Sequence, residues 1–304
     1  MGWVKQGHVF APDGTSAWAR GYASFPTAVA RPGGEIRVYY TTLDADRQGR
    51  SSHVDVIADD PLRVVRRCAQ PVLELGAMGD FDDGGANVFS VVTFAGRQLH
   101  YYQGWQHARK VPYLIFTGLA TEAGDGEVLV KHQRTPVLDR TADEPTMRAA
   151  PFVLNDGHGL RMWYVSCVRW RIVDGAPRYL VNIRTAASAD GVHWIADPVV
   201  CLEPQGDEYA VGRPSVLRTD QGYEMWFSVR SASRPYRLGH ARSVDGVHWV
   251  RDDAPELLIE TSPQGWDAEM VCYPCVIEHE GRRLLFYNGN RHGQTGFGVA
   301  LWRD

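Results

Sequence analysis

Five aromatic-rich segments recur along the chain at a nearly constant spacing. The last aromatic residues of these segments lie 62, 62, 63 and 60 positions apart: Tyr40, Tyr102, Tyr164, Phe227 and Tyr287. A second series begins about 13 residues before the first. Its spacings are 63, 62, 63 and 60, and its members are Pro26, Phe89, Pro151, Pro214 and Pro274. Two independent series with one period indicate an internal structural repeat.

Each period has the composition of short strands joined by tight turns. β-Branched and aromatic runs alternate with turn sequences such as Asn155–Gly157 and Glu280–Gly281, which is typical of hairpins. No stretch shows sustained helical periodicity. Four strands in about 62 residues make one propeller blade, and five such blades account for the 304 residues. The sequence therefore predicts an all-β fold: a single five-bladed β-propeller domain over residues 1–304.

The two ends of the repeat predict how the propeller closes. The last period ends after its third strand, and the segment Gly7–Pro12 precedes the first blade. This segment can supply the missing outer strand, so that no blade edge is left unpaired. We therefore expect residues 7–12 to pair beside the last strand of the chain.

Composition argues against several classes of partner. A formal net charge of −4 and a pI near 6.3 do not suit a nucleic-acid-binding surface. No apolar run approaches the ~20 residues of a membrane span, and the first residues lack the apolar region of a secretory signal. The five cysteines lack zinc-like spacing, so we interpret them as reduced thiols. We expect a cytoplasmic protein with no nucleic-acid or membrane partner, no metal and no other cofactor, in an oligomeric state that the sequence leaves open.

Carboxylates recur just before the first strand of four blades. They lie five to seven residues before the aligned Pro or Phe, at Asp83, Glu144, Glu208 and Glu269. The start of the first strand of a blade and the end of its second strand share a face, so we expect these acids to point into one axial pocket. Crowded carboxylates push one pKa up, which gives a general acid, and leave another ionised as base or nucleophile. The predicted essential pair is Asp83 with Glu208 or Glu269.

Arginines, tryptophans and other polar side chains accompany these acids on the same face. Arg148 and Arg213 would hold neighbouring acids ionised or bind anions and hydroxyls of a substrate, and Trp105 could stack on a sugar face. The remaining candidate substrate-binding residues are Asp82, Asn87, His107, Arg169, Arg230, Asp267, Tyr273, Asn290 and His292.

Two further motifs repeat on the hairpins between third and fourth strands. Ser188–Trp194 and Ser243–Trp249 share the pattern Ser-x-Asp-Gly-x-x-Trp, which resembles the Asp-box turn of sialidases and other sugar-active propellers. Asp and Gly make the turn, and Trp packs between strands, so we interpret both motifs as structural. His193 and His248 recur inside them, which argues against a metal-ligand role.

The C-terminal runs resemble a known superfamily. Trp266–Pro274, Phe286–Asn290 and Gly293–Gly298, together with Phe81–Gly85, resemble glycosyl-hydrolase-like five-bladed propellers of the furanosidase/arabinanase/invertase superfamily (glycoside hydrolase families 32, 43, 62, 68 and 130). A subset of these is encoded among surface-polysaccharide and natural-product genes. The resemblance implies a sugar-cleaving site and covers essentially the whole chain.

The first blade of this sequence departs from the pattern of that family in one respect. The better-known hydrolases carry a catalytic Asp at its first strand, whereas here Arg20–Pro26 contains no acid. Asp44 lies on the same face but at the end of the second strand. The usual three-acid arrangement is therefore not reproduced residue by residue.

Three classes of function fit these patterns. The leading hypothesis is a carbohydrate-active enzyme that acts on a glycosidic bond of a sugar or sugar-containing metabolite by carboxylate acid/base catalysis; a close variant is a phosphorylase in which Arg148, Arg213 or Arg230 binds phosphate. The second is a biosynthetic tailoring enzyme that cyclises, eliminates or isomerises a sugar-like intermediate. The third is a non-catalytic glycan-binding propeller.

Overall fold

Antiparallel strands account for most of the structure, a computed structural model that describes residues 1–124, 126–157, 159–173 and 175–303. The described residues form twenty strands in five consecutive groups of four. Group one contains β2 (Gly21–Arg31), β3 (Glu35–Leu43), β4 (Gly49–Ile57) and β5 (Val64–Arg67). Group two contains β6 (Gly85–Phe94), β7 (Arg97–His107), β8 (Tyr113–Ala123) and β9 (Val128–Lys131). Group three contains β10 (Arg148–Asn155), β11 (Leu160–Val173), β12 (Ala176–Ser188) and β13 (Ile195–Leu202).

The last two groups complete the series. Group four contains β14 (Glu208–Thr219), β15 (Gly222–Ser231), β16 (Arg237–Ser243) and β17 (Val250–Arg251). Group five contains β18 (Cys272–His279), β19 (Arg282–Asn288), β20 (Phe297–Arg303) and β1 (Gly2–Phe10). A 3-10 turn at Pro255–Leu257 and a helical turn at Asn290–Gly293 lie between strands. The all-β prediction is confirmed, and the strand boundaries follow the two repeat series.

The N-terminal strand completes group five. β1 pairs antiparallel with β20, in a register that sets Trp3 opposite Trp302 and Gly7 opposite Val299. Pairing beside the last strand of the chain is thus confirmed. The predicted limits of 7–12 are wrong, because the strand runs from Gly2 to Phe10 and uses the whole length of the β20 edge.

The first strands of successive groups are joined by side-chain hydrogen bonds. Ser90 Oγ accepts from the Val153 amide at 2.9 Å, and Ser215 Oγ accepts from the Val276 amide at 2.8 Å. The Ala28 amide donates to Cys275 Sγ at 3.2 Å, which joins group five to group one. Each of these acceptors directly follows a member of the second repeat series, which we call the Phe/Pro series (Pro26, Phe89, Pro151, Pro214 and Pro274). The repeat therefore encodes contacts between groups as well as strands.

Arg213 crosses between the same inner strands. Its two Nη atoms donate to the carbonyls of Phe89 and Pro26 at 2.8 and 2.9 Å, and to Thr27 Oγ1 at 2.7 Å. The side chain is 3% exposed. It joins group four to groups one and two.

A buried carboxylate anchors the outer strand of two groups in the same way. In group two, Asp82 Oδ2 accepts from the Tyr102 hydroxyl at 2.9 Å and lies 2.6 Å from Lys131 Nζ. In group five, Asp267 Oδ2 accepts from the Tyr287 hydroxyl at 3.0 Å and from Lys5 Nζ at 2.6 Å. Each acid is 1% exposed. We call this arrangement of carboxylate, second-strand aromatic ring and cation the carboxylate staple.

Groups three and four contain variants of the carboxylate staple. In group three, Glu144 Oε2 accepts from the Tyr164 hydroxyl at 2.9 Å and lies 3.0 Å from Arg148 Nε. In group four, Glu208 Oε2 accepts from Arg251 Nη1 at 2.7 Å. Phe227 replaces the tyrosine there, with the Arg251 guanidinium 5.3 Å from its ring centroid. A carboxylate at or next to the repeated offset is thus joined to the aligned aromatic series in groups two, three and five, and through Arg251 in group four.

Replacing the lysine of a carboxylate staple should destabilise the fold. Lys5→Met and Lys131→Met each leave a buried carboxylate without its cation, so we expect losses of about 1–3 kcal/mol in the free energy of unfolding. Lys110→Met is the matched control, because Lys110 is the remaining lysine and is exposed. Urea unfolding followed by circular dichroism measures the three variants. Equal stability of all three would contradict the assignment.

Acidification should lower the free energy of unfolding because one histidine is buried in its neutral form. His100 on β7 is fully buried against the Tyr39 hydroxyl, and burial lowers the pKa of its imidazole to about 4. The unfolded chain protonates His100 near pH 6.5 and so binds more protons than the folded chain between these values. Stability should therefore fall by up to about 1.4 kcal/mol per pH unit as the pH drops through this window. His100→Gln should flatten the decline, measured as unfolding free energy against pH; an unchanged slope would exclude His100 as its source.

Candidate functional site

A cavity of about 570 Å³ lies where the first strands of the five groups meet. Each first strand contributes a side chain to its wall: Phe25, Phe89, Ala150, Arg213 and Tyr273. These residues come from members of the Phe/Pro series or from the positions directly before them. The cavity therefore lies at the place where the sequence predicts an axial pocket.

Four of these side chains face the cavity from residues with a strained backbone conformation. Phe25, Ala150, Arg213 and Tyr273 have φ values of 58°, 49°, 53° and 56°. Each precedes a proline of the series, and each coincides with a shift in the pairing of the first and second strands. Residues other than glycine seldom adopt positive φ, and such strain concentrates at functional sites. The bulges provide the local reason why these side chains face the cavity.

Tyrosines surround a cation on one wall. The guanidinium carbon of Arg230 lies 5.0, 5.1 and 4.9 Å from the ring centroids of Tyr179, Tyr209 and Tyr236. Arg230 Nη1 also donates to the Tyr179 hydroxyl. Burial raises the pKa of Tyr236 and Tyr273 well above the ordinary value. Their hydroxyls therefore remain protonated near neutral pH, and they hydrogen-bond to each other.

A neutral histidine stands beside this wall. His292 packs edge-on against Tyr236, with ring centroids 5.3 Å apart. His292 is exposed at the edge of the cavity, but partial desolvation by its neighbours and the charge of Arg230 lower the pKa of its imidazole, so the neutral ring can accept a proton near neutral pH. Its φ of 62° lies in the left-handed region, like that of Arg291 beside it.

The opposite wall combines an indole ring with polar side chains. Trp105 and His107 lie edge-on with ring centroids 5.0 Å apart. Asn87 is 2% exposed, and its Oδ1 atom has no hydrogen-bond partner among the described residues. An unpaired buried acceptor of this kind suits a ligand hydroxyl.

The structure does not bring the four predicted acids together in the cavity. Glu144 and Glu208 are held in carboxylate staples. Asp83 is half-buried and accepts from the Gly79 amide at 2.9 Å, while Glu269 is exposed. Within the described part of the chain, Asp46 is the one carboxylate that lines the cavity, and it is exposed. The four acids therefore do not converge on the cavity wall. For Glu144 and Glu208 the reason is an ion pair of the fold, whereas Asp83 and Glu269 lie outside the residues that line the cavity.

The other predicted site residues divide into two sets. Those that line the cavity are Asn87, Trp105, His107, Arg213, Arg230, Tyr273 and His292. Those that do not are Asp82, Arg148, Arg169, Asp267 and Asn290. Asp82, Arg148 and Asp267 belong to carboxylate staples, and Arg169 is exposed. Asn290 accepts from the Glu269 and Met270 amides and orders their loop.

Sequence reasoning missed much of the aromatic wall. Phe25, Tyr113, Tyr179 and Tyr236 line the cavity but were absent from the predicted set. The position before each series proline would have indicated Phe25. The three tyrosines lie on or next to third strands, whose approach to the cavity the repeat does not reveal.

A group of possible metal ligands lies apart from the cavity. Ligand atoms of His53, Cys68 and Glu127 lie within 4.8 Å of one another, but none of these residues lines the cavity. Arg66 and Arg37 already lie 2.8 and 3.3 Å from the Glu127 carboxylate, and two guanidinium groups there disfavour a cation. All five cysteines are free. Among the described residues, no helix is long and apolar enough to cross a membrane.

Solved structures identify the class of fold. A glycoside hydrolase is 20% identical, with a TM-score of 0.73 over 98% of this chain and 90% of that one. A GH130 structure is 17% identical, with a TM-score of 0.71 over 99% and 94%; its name refers to mannoside phosphorylases and to glycoside hydrolases that target beta-1,2 mannosidic linkages in Candida mannan. A thermostable family-43 glycoside hydrolase is 13% identical, with a TM-score of 0.65 over 92% and 87%. The chain has the propeller-type fold of these proteins, which confirms the resemblance at the level of fold.

Sequence comparison gives the family. No protein-family model matches the chain. The uncharacterized proteins MT1551 and Rv1502, from two strains of Mycobacterium tuberculosis, are each 37% identical to it over 304 residues, or 99% of both chains. The chain belongs to the family of these mycobacterial proteins.

A methyl group at Gly85 should displace the indole ring of the cavity wall. A Cβ atom there would lie 1.9 Å from Trp105 Nε1, so the ring would have to move. We expect Gly85→Ala to lower the free energy of unfolding by about 1–3 kcal/mol. Gly21→Ala is the matched control at the start of β2, where a Cβ would meet nothing within 4 Å. Thermal and urea unfolding compare the two, and a Gly85→Ala variant as stable as the control would refute the contact.

Proposed function

We propose that this chain is a single five-bladed β-propeller, residues 1–304, and a carbohydrate-active enzyme that acts on a glycosidic bond. Five strand groups with contacts from group five back to group one support the blade count. The similarity in fold to glycoside hydrolases and phosphorylases supports the class of substrate.

The cavity carries this proposal. It has the size of a small-ligand pocket, and its wall presents aromatic faces together with hydrogen-bonding groups from Asn87, His107 and Arg230. Aromatic rings pack against the apolar faces of sugar rings, and the polar groups bind hydroxyls. A sugar or sugar-containing metabolite therefore matches the site.

Asp83 and Glu269 are the carboxylates proposed for catalysis. Neither is held in a carboxylate staple, and both stand beside residues that contact the cavity wall: the Gly84 amide donates to the Trp105 carbonyl, and the His292 amide donates to Met270 Sδ. One carboxylic acid would protonate the departing glycosidic oxygen, and the other carboxylate would take a proton from the attacking water. Glu208 is the weaker alternative for the second role because Arg251 engages it.

Amide substitutions separate the catalytic carboxylates from the structural ones. Asp83→Asn and Glu269→Gln should each lower kcat by about 10²–10⁴-fold with little change in stability. Glu144→Gln is the control; it should lower the melting temperature and spare kcat of the folded protein, whereas a loss of kcat in a folded Glu208→Gln variant would assign the second role to Glu208. The assay is release of p-nitrophenol from a panel of p-nitrophenyl glycosides, with and without inorganic phosphate. Near-normal kcat in Asp83→Asn, Glu208→Gln and Glu269→Gln alike would exclude the carboxylate mechanism.

One observation favours a second candidate, a tailoring enzyme that isomerises, cyclises or eliminates a sugar-like intermediate. Inside the cavity, the groups placed for proton transfer are His292, a neutral base, and the protonated hydroxyls of Tyr236 and Tyr273. If the amide variants of Asp83, Glu208 and Glu269 keep their activity while His292→Gln loses it, this second candidate replaces the first. Sugar binding without turnover in any variant would leave a glycan-binding propeller.

A further inference from the structure

The arginines of this fold differ in what balances their charge. Arg37, Arg148 and Arg251 each lie within 3.0 Å of a carboxylate, from Asp55, Glu144 and Glu208 respectively. Arg213 and Arg230 have no carboxylate at ion-pair distance in the ranges that the structure describes. Both line the cavity. Among the described arginines that are not exposed to solvent, those without a protein counter-ion are thus at the candidate site.

The charge of the cavity wall is correspondingly positive. Three arginines line the cavity: Arg47, Arg213 and Arg230. The one carboxylate among the described lining residues is that of Asp46, and the imidazole of His292 is neutral. Three cations against one anion leave an excess of two positive charges. A charge removed from water without a partner is costly, so the site is set up for a ligand that supplies the negative charge.

Arg230 has donors available, whereas those of Arg213 are largely used. The Nη atoms of Arg213 bond to two carbonyls and to Thr27. Arg230 uses Nη1 for Tyr179, but its buried Nε has no hydrogen-bond partner among the described residues. The tyrosine rings hold the guanidinium in one place, and a planar fork of donors held in this way suits a carboxylate or phosphate oxygen pair.

We propose that the substrate of this cavity carries its own anionic group, a carboxylate or phosphate ester on the sugar, and that this group forms an ion pair with Arg230. The proposal rests on the cavity being the sugar site. The hydroxyls of Tyr236 and Tyr273 hydrogen-bond to each other, which leaves one O–H of the pair to donate to the same group. The charge on the ligand thereby replaces the carboxylate that the fold does not provide.

Matched ligand pairs test the inference by isothermal titration calorimetry at fixed ionic strength. The pairs are methyl β-D-glucuronide with methyl β-D-glucoside, and glucose 6-phosphate with glucose; inorganic phosphate is titrated alone. We expect the acidic member of a pair to bind at least about tenfold more tightly than the neutral one, a difference of ~1.4 kcal/mol. Arg230→Met should abolish that preference, and Arg230→Lys should keep part of it because the charge remains. Arg169→Met, at an exposed arginine outside the cavity wall, should bind like the wild type.

The outcomes separate this inference from the proposed function. Equal affinity for the two members of each pair would overturn the anionic substrate and leave a neutral sugar site standing. A preference that survives in a folded Arg230→Met variant would place the anion elsewhere and overturn it too. Binding of inorganic phosphate without any preference for acidic sugars would show that the anion is a separate ligand. If the wild type binds neither phosphate nor any sugar, the inference and the cavity assignment both fail.

Discussion

The carboxylate staple is the interaction on which the rest of this fold depends. A propeller-type fold must hold its outermost strands, which have one paired edge, against the strands near the axis. In groups two and five, one buried carboxylate oxygen accepts from a second-strand tyrosine and from a lysine of the outermost strand. Burying this carboxylate is tolerable because both partners are present. The same contact ties the N-terminal strand, through Lys5, to the last part of the chain.

The carboxylate staple also explains why the cavity has the chemistry it has. The acids of the carboxylate staples turn toward the body of groups two to five, so the cavity wall is left to the residues at the bulges of the first strands. These bulges place Phe25, Arg213 and Tyr273 at the wall. The cavity wall therefore contains an arginine among tyrosines and a neutral histidine. The solved structures similar to this fold include glycoside hydrolases and a GH130 protein. Under the proposed function, proton transfer at this site would therefore involve groups from the rim, the histidine, or both.

A difference of one or two residues along the chain separates the acids that are buried in carboxylate staples from those that are not. Asp82 and Asp83 are neighbours, yet the first is buried on Tyr102 and the second is half-buried. Asp267 and Glu269 differ in the same way, with 1% exposure for the first and an exposed second. All four acids lie in turns just before a first strand, where the direction of a side chain does not follow strand alternation, and a repeat offset that varies by a residue does not resolve that direction. Arg213, Arg230 and His292 were found because their offsets place them at strand ends on the correct face.

The sequence by itself determined the strand repeat, the all-β class and the pairing of the N-terminal strand. These follow from hydrophobic alternation and turn residues, which act over a few neighbouring positions and therefore repeat visibly in the chain. Only the tertiary structure decided which carboxylates form buried ion pairs and which arginines line the cavity without a counter-ion. That decision depends on partners such as Lys5 and Asp267, which are far apart in the sequence and meet only when the strand groups pack. The physical reason is that desolvation and counter-ion contact are properties of the assembled interior, whereas strand propensity belongs to the local chain.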